Sequence, residues 1–266
     1  MNPNVKYGHR YDWGFTLIEL LVVIAVISVL LAISVPSLSY ARSLASRLAC
    51  AGNLRQIGLA WTGYLDDNHQ RFPRRPSVQI NYGGWPAQAA TDMFWDSDWI
   101  NRPLNPYCGS LDKTEITKQQ AQVFRCPVNR VLPTDLRPDM TPFEYWGNTY
   151  TANTLLIGQD KLPEGDPNTT DFMKAVNHKI TGKNTTGIMV TNPPGRVVLA
   201  GDAPWYSQWW QKASEEELDW HNKEGYFNIV FLSGRVEFVN IKQGKLVGGE
   251  YYINPFKDLN SLAKIP

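Results

Sequence analysis

Hydrophobic residues follow three regimes along this chain. From Phe15 to Val35 they are nearly continuous, FTLIELLVVIAVISVLLAISV, and Glu19 is the one ionisable side chain in the run. As an α-helix this segment of about 21 residues extends about 32 Å, enough to cross a bilayer core of about 30 Å. Beyond Pro36 the apolar positions thin to every third or fourth residue, through Leu38, Ala41, Leu44, Ala45, Leu48 and Ala51 to Leu54, Ile57, Gly58, Trp61, Tyr64 and Leu65. Arg42, Arg47, Asn53, Arg55 and Gln56 fall on the opposite face, so the period predicts an amphipathic helix. The two stretches together predict a helix of about 50 residues, bent near Pro36 because proline removes one backbone hydrogen bond. It should stop at the turn-forming Asp66-Asp67-Asn68.

The third regime is β-like. Val197–Ala200 is a short apolar run suited to a buried strand, and residues 228–232 and 235–241 read as a hairpin joined by Ser233-Gly234. Gly234 supplies the positive φ that such a turn needs, and Val236 and Phe238 are expected on one face. Residues 74–180 are rich in Trp, Tyr, Pro and Asn without a period, and we read them as loops with short strands and a short helix near Thr114–Gln122. The predicted class is α+β: a long N-terminal helix packed on an antiparallel, loop-rich head. There is no internal repeat.

Composition sharpens this picture in one respect. The 266 residues include 43% hydrophobic and 19% charged side chains, with 26 Lys plus Arg against 25 Asp plus Glu and a formal charge of +1. That balance argues against a nucleic-acid partner, which requires a basic surplus. The mean hydropathy of −0.33 resembles that of a soluble protein only because a polar head is averaged with the apolar run.

A cleaved secretory signal fits the N-terminal run poorly, since such signals have about 7–15 apolar residues and a small-residue cleavage site. A plain signal anchor fits its length but leaves Glu19 unexplained, because a carboxylate in lipid is costly without a partner. Gly14-Phe15-Thr16-Leu17-Ile18-Glu19, the apolar run and Pro36 together resemble the type IV prepilin signal of pilins and type II secretion pseudopilins. The resemblance implies cleavage between Gly14 and Phe15 by a prepilin peptidase, N-methylation of Phe15, and a filament in which Glu19 meets the terminal ammonium of a neighbouring subunit. Family leaders place Lys or Arg directly before the glycine, whereas this chain has Asp12-Trp13, a departure that predicts slower processing.

Further along, Cys50 to Ala60, Phe124-Arg125-Cys126-Pro127 and Tyr145-Trp146-Gly147-Asn148 resemble a bacterial pilin-like group. That group couples the prepilin signal to a C-terminal histidine followed nine residues later by Asp-Gly. Here His221 precedes Ser233-Gly234 at a spacing two residues longer, and Ser233 stands where the group has aspartate. Read as hairpin chemistry, with His221, Asn228, Ser233 and Gly234 as its structural residues, the variant still makes sense.

The three cysteines, in a head placed outside the cytoplasm, suggest one disulfide and one free thiol. Loop length favours Cys108 with Cys126, and Cys50 with Cys126 is the second candidate. No metal is expected: Cys-x-x-Cys spacing is lacking and the histidines are scattered. Asp160 to Asp171 is acidic but misses EF-hand spacing. Asp202 and His221 form the one pair worth weighing for catalysis, yet no nucleophile elbow or His-Glu-x-x-His element accompanies them, so we read them as a polar pair anchoring the last hairpin. Trp205, Tyr206, Trp209 and Trp210 suit either a contact surface or the core.

The expected organisation is a leader at 1–14, a membrane and assembly helix at 15–36, its amphipathic continuation at 37–66 and a β-rich head at 67–266. The expected function is a non-enzymatic pilin or pseudopilin subunit, of the minor kind, without cofactors. Its partners would be related subunits, the prepilin peptidase and methyltransferase, and an inner-membrane assembly platform. Its head would lie in the periplasm before it joins a periplasmic or surface filament. The alternative is a membrane-anchored module that never polymerises and holds a glycan or secreted cargo.

Overall fold

A computed structural model describes residues 16–73, 80, 82–85, 102–109, 116–128, 140–157, 190–206 and 220–260. Helix α1 spans Leu17–Asp67 and includes Pro36. The chain divides into two compact units, Met1–Ser43 and Leu44–Pro266.

In the first unit the helix begins with a capping box. The Thr16 hydroxyl accepts from the Glu19 amide at 3.3 Å, while a Glu19 carboxylate oxygen accepts from the Thr16 amide and hydroxyl at 2.8 and 2.7 Å. This pairing satisfies donors that an α-helix leaves open in its first turn. Ser28, Ser34 and Ser37 donate to the carbonyls four residues earlier, so these hydroxyls also need no outside partner. The apolar side chains from Leu17 to Val35 are exposed in the isolated chain, as is Leu38.

The second unit is built on a four-stranded antiparallel sheet: β1 (Tyr150–Ala152), β2 (Val198–Asp202), β3 (Tyr226–Phe231) and β4 (Val236–Asn240), in that spatial order. Every residue of β1 and β2 is buried. The C-terminal part of α1 packs here through Cys50, Leu54, Ile57, Gly58, Ala60, Trp61 and Leu65. Leu48, expected on this face from its spacing, is instead 60% exposed. Gly58 marks a close approach of helix to sheet, since a Cβ built there would stand 2.8 Å from Val230 Cγ2.

The final hairpin forms with a longer connection than its spacing suggested. β3 and β4 are in register from Tyr226 opposite Asn240 to Val230 opposite Val236. Leu232 to Arg235 connect the strands, and Gly234 takes φ +81°, where glycine pays no steric penalty. The Phe231 amide donates to the Arg235 carbonyl and the Gly234 amide to the Phe231 carbonyl, both at 2.8 Å. Val236 and Phe238 are only half-buried, and Val239 is the strand's buried residue. Just before β4, Arg235 pairs with Glu237 of the strand and also donates to the Gly195 carbonyl at 2.8 Å.

A short helix α2, Pro142–Trp146, precedes the sheet. Thr141 and Glu144 close a capping box at its start, and Gly147 ends it at φ +73°. The helix expected near Thr114–Gln122 is a 3-10 turn at Gln120–Phe124 in the described residues.

Candidate functional site

Two regions carry the residues singled out by the sequence. The first is the apolar start of α1. Glu19 lies in its first turn with its carboxylate engaged by Thr16, and Pro36 lies inside the helix. Gly14 and Phe15 lie outside the described residues, as do Trp209, Trp210 and the acidic loop at 160–171.

The second is a buried junction in the head where helix, loop and sheet meet. Cys50 of α1 forms a disulfide with Cys126, with a Cα separation of 5.1 Å. This corrects the pairing expected first: Cys108 is a partly buried free thiol. Loop length cannot see the third dimension, and here the fold places Cys126 against the helix because its neighbours are clamped. The amide of Cys126 donates to the Thr149 hydroxyl, and both the amide and the hydroxyl of Thr149 donate to the Phe124 carbonyl at 2.8 and 3.0 Å. From the helix, the Asn53 amide group donates to the Arg125 carbonyl at 2.9 Å and to the Tyr150 hydroxyl at 3.2 Å. Asn148 donates to the carbonyls of Ile80 and Gly83, each at 3.1 Å, and accepts the Tyr150 amide at 2.8 Å.

Asp202 and His221 complete this junction. His221 Nε2 lies 2.9 Å from Asp202 Oδ2, and both side chains are fully buried. Asp202 Oδ2 also accepts the Asn228 amide at 2.7 Å. The Asn228 side-chain nitrogen lies 3.0 Å from His221 Nε2 and 3.3 Å from the Arg47 carbonyl. Asn228 therefore ties β3 to both the pair and the helix. Asp202 Oδ1 and His221 Nδ1 have no hydrogen-bond partner among the described residues. Burial, followed by the nearby Asp202 charge, holds the Tyr150 hydroxyl well above its ordinary range, so it stays a neutral phenol. One donor atom from each of Cys50, Cys126, Asp202 and His221 lies within 4.8 Å of the others.

The junction joins helix, loop and sheet, and both side chains of the pair are withheld from solvent. Trp205 belongs to the same interior: it is fully buried and its indole N–H donates to the Thr151 carbonyl at 3.0 Å.

Residues 14–35 match the family described as the prokaryotic N-terminal methylation motif. Over 66 residues the chain is 35% identical to the ComG operon protein 3 homolog of Bacillus licheniformis, a match that covers 25% of this chain and 68% of that protein. The chain belongs to this pilin-like family. It is thus a pilin- or pseudopilin-type subunit, of a structural family and not an enzyme family. No solved structure matches the chain.

For a pilin-like protein the N-terminal signal was the legible part, with Glu19 and the apolar run visible as a pattern. Motif plus helix point to membrane anchoring. Sequence reasoning missed the roles of Asn53, Thr149 and Tyr150. All three sit within or next to quoted motifs, yet nothing in their spacing announces that Asn53 and Tyr150 meet from 97 residues apart.

Proposed function

We propose that this pilin-like chain is a processed filament subunit, cleaved after Gly14, N-methylated at Phe15 and assembled by helix-to-helix packing of residues 15–36. Residues 37–66 and 67–266 then serve as the connecting helix and the head, which stands outside the inner membrane. The observation that carries this reading is the run of exposed Leu, Ile and Val side chains from Leu17 to Val35, in which Glu19 is the one ionisable group. Such a surface is compatible with lipid, and equally with other copies of the same helix, because both are apolar. Glu19 is satisfied by Thr16 within one chain, which lowers the cost of carrying a carboxylate in the bilayer. In a filament the same carboxylate would meet the ammonium of Phe15 on a neighbouring, identical or related subunit. A head of this size suits a minor or specialised subunit. The assembly platform of the inner membrane would be its other partner, with final placement in a periplasmic or surface filament.

Co-expression with a prepilin peptidase tests the proposal. Intact mass and N-terminal sequencing should find N-methylphenylalanine at position 15, and Glu19→Val should abolish pelletable filaments while leaving the membrane-bound chain folded. An intact Met1, or filaments unaffected by Glu19→Val, would leave a non-polymerising anchored binding module as the better reading.

A further inference from the structure

We propose that the Cys50–Cys126–Asp202–His221 cluster is a metal site masked by its own disulfide, and that on reduction it takes one zinc(II) ion in a closed four-ligand shell. The spacing of these residues in sequence hides the site, because each comes from a different part of the head: α1, the loop before α2, the end of β2 and the segment entering β3. In space all four are buried, and one donor atom from each lies within 4.8 Å of the rest.

Donor separations in a tetrahedral zinc centre follow from its bond lengths of about 2.0–2.3 Å and are about 3.3–3.8 Å. To reach that spacing the four donors must close in by up to about 1 Å and the two sulfurs must part. Two thiolates, an imidazole and a carboxylate form a borderline-soft donor set that suits zinc and not calcium or magnesium.

A second observation points the same way. Asp202 Oδ1 and His221 Nδ1 are buried polar atoms with no hydrogen-bond partner among the described residues, a costly arrangement unless something engages them. Their other polar atoms are already held. Asn228 donates its amide to Asp202 Oδ2 at 2.7 Å, and its side chain lies 3.0 Å from His221 Nε2. Such outer contacts orient metal ligands.

The chemistry balances as follows. A dithiol reductant gives two electrons and two protons to the Cys50–Cys126 bond, becoming a cyclic disulfide and leaving two thiols. Zinc(II) then displaces the two thiol protons and forms two Zn–S bonds, with neutral His221 and ionised Asp202 completing the shell. Disulfide and ion are thus alternative staples for one junction, used under oxidising and reducing conditions respectively.

The test uses the full-length chain in detergent micelles, reduced with dithiothreitol and desalted without oxygen, then titrated with cobalt(II). The reduced protein should bind one cobalt per chain with the visible bands of a tetrahedral site and thiolate charge transfer, and zinc(II) should displace it. The oxidised protein should show neither. Cys108→Ser should bind like the parent, Cys50→Ser should not bind, and His221→Gln and Asp202→Asn should each weaken binding by about tenfold or more. The proposal would be overturned by no tetrahedral spectrum on reduction, a spectrum that survives Cys50→Ser, or unchanged affinity in both His221→Gln and Asp202→Asn. Loss of near-ultraviolet circular dichroism on reduction that zinc does not restore would overturn it equally.

Discussion

Gly201 shows how little room the centre of the sheet leaves. A Cβ there would lie 2.4 Å from Ile229 Cδ1, 2.8 Å from the Asn228 carbonyl oxygen and 2.9 Å from Trp205 Cδ1. Backbone and a buried indole cannot both retreat, so Gly201→Ala should cost about 1–3 kcal/mol, read as a lower midpoint in thermal unfolding. Its neighbour Asp202 would be displaced with it. Cys108 is a different case, a free, partly buried thiol of poor reactivity. Burial pushes its thiol up to about 12, and only the thiolate is nucleophilic. Labelling of the oxidised protein by iodoacetamide at pH 8 should therefore run at least about tenfold slower than for an unstructured thiol. It should accelerate as pH climbs toward the raised value or when the head is unfolded. A thiol that reacts at the peptide rate in the native head would contradict this.

At the scale of elements, two of the three glycines of α1, Gly52 and Gly58, have different meanings. Gly52 is exposed and a Cβ there meets nothing within 4 Å, so Gly52→Ala should stabilise the head by about 1 kcal/mol through helix propensity alone. Gly58 faces β3, and Gly58→Leu should push helix from sheet and cost about 1–3 kcal/mol or more. Denaturant unfolding of the two variants checks both signs. The helix itself was legible because its apolar positions change from continuous to periodic at Pro36, a pattern set by local geometry. The hairpin was legible for the same reason, though its turn came out longer because Leu232 and Arg235 join the connection, not the strands. The Cys50–Cys126 link was ranked second because loop closure is an argument about the unfolded chain. What decides the pairing is the clamp of Thr149 on Phe124 and Cys126, which no spacing reveals. The metal site proposed above left no motif for a related reason: its four residues come from four separate parts of the head.

For the molecule as a whole, the disulfide closes a loop of 76 residues that includes much of the aromatic middle region. Constraining a loop of that length in the unfolded chain contributes about 4 kcal/mol in the chain-entropy account. The Cys50→Ala/Cys126→Ala protein should accordingly unfold at a clearly lower temperature than the oxidised parent. The parent should move toward it when reduced with a chelator present. Equal midpoints in all three would mean that the clamp and not the bond carries the junction. Charge is also set at this scale. Cleavage after Gly14 would remove Lys6, Arg10 and Asp12 from a chain with 26 basic and 25 acidic residues, leaving a formal charge of zero and no bulk repulsion between packed copies.

In the proposed filament, near-neutral subunits crowded side by side would face the hazard that one sheet extends into the next. Strand β4 pairs with β3 on one side and with no other named strand among the described residues, so its outer backbone groups offer a template for a foreign strand. Glu237 of that strand and its partner Arg235, just before the strand and also bound to the Gly195 carbonyl, place charge where an incoming strand would have to dock. Charged outer strands are a known guard against such fusion. The same two side chains that look ornamental on a single head would, in a dense array, keep neighbouring heads as separate folded bodies.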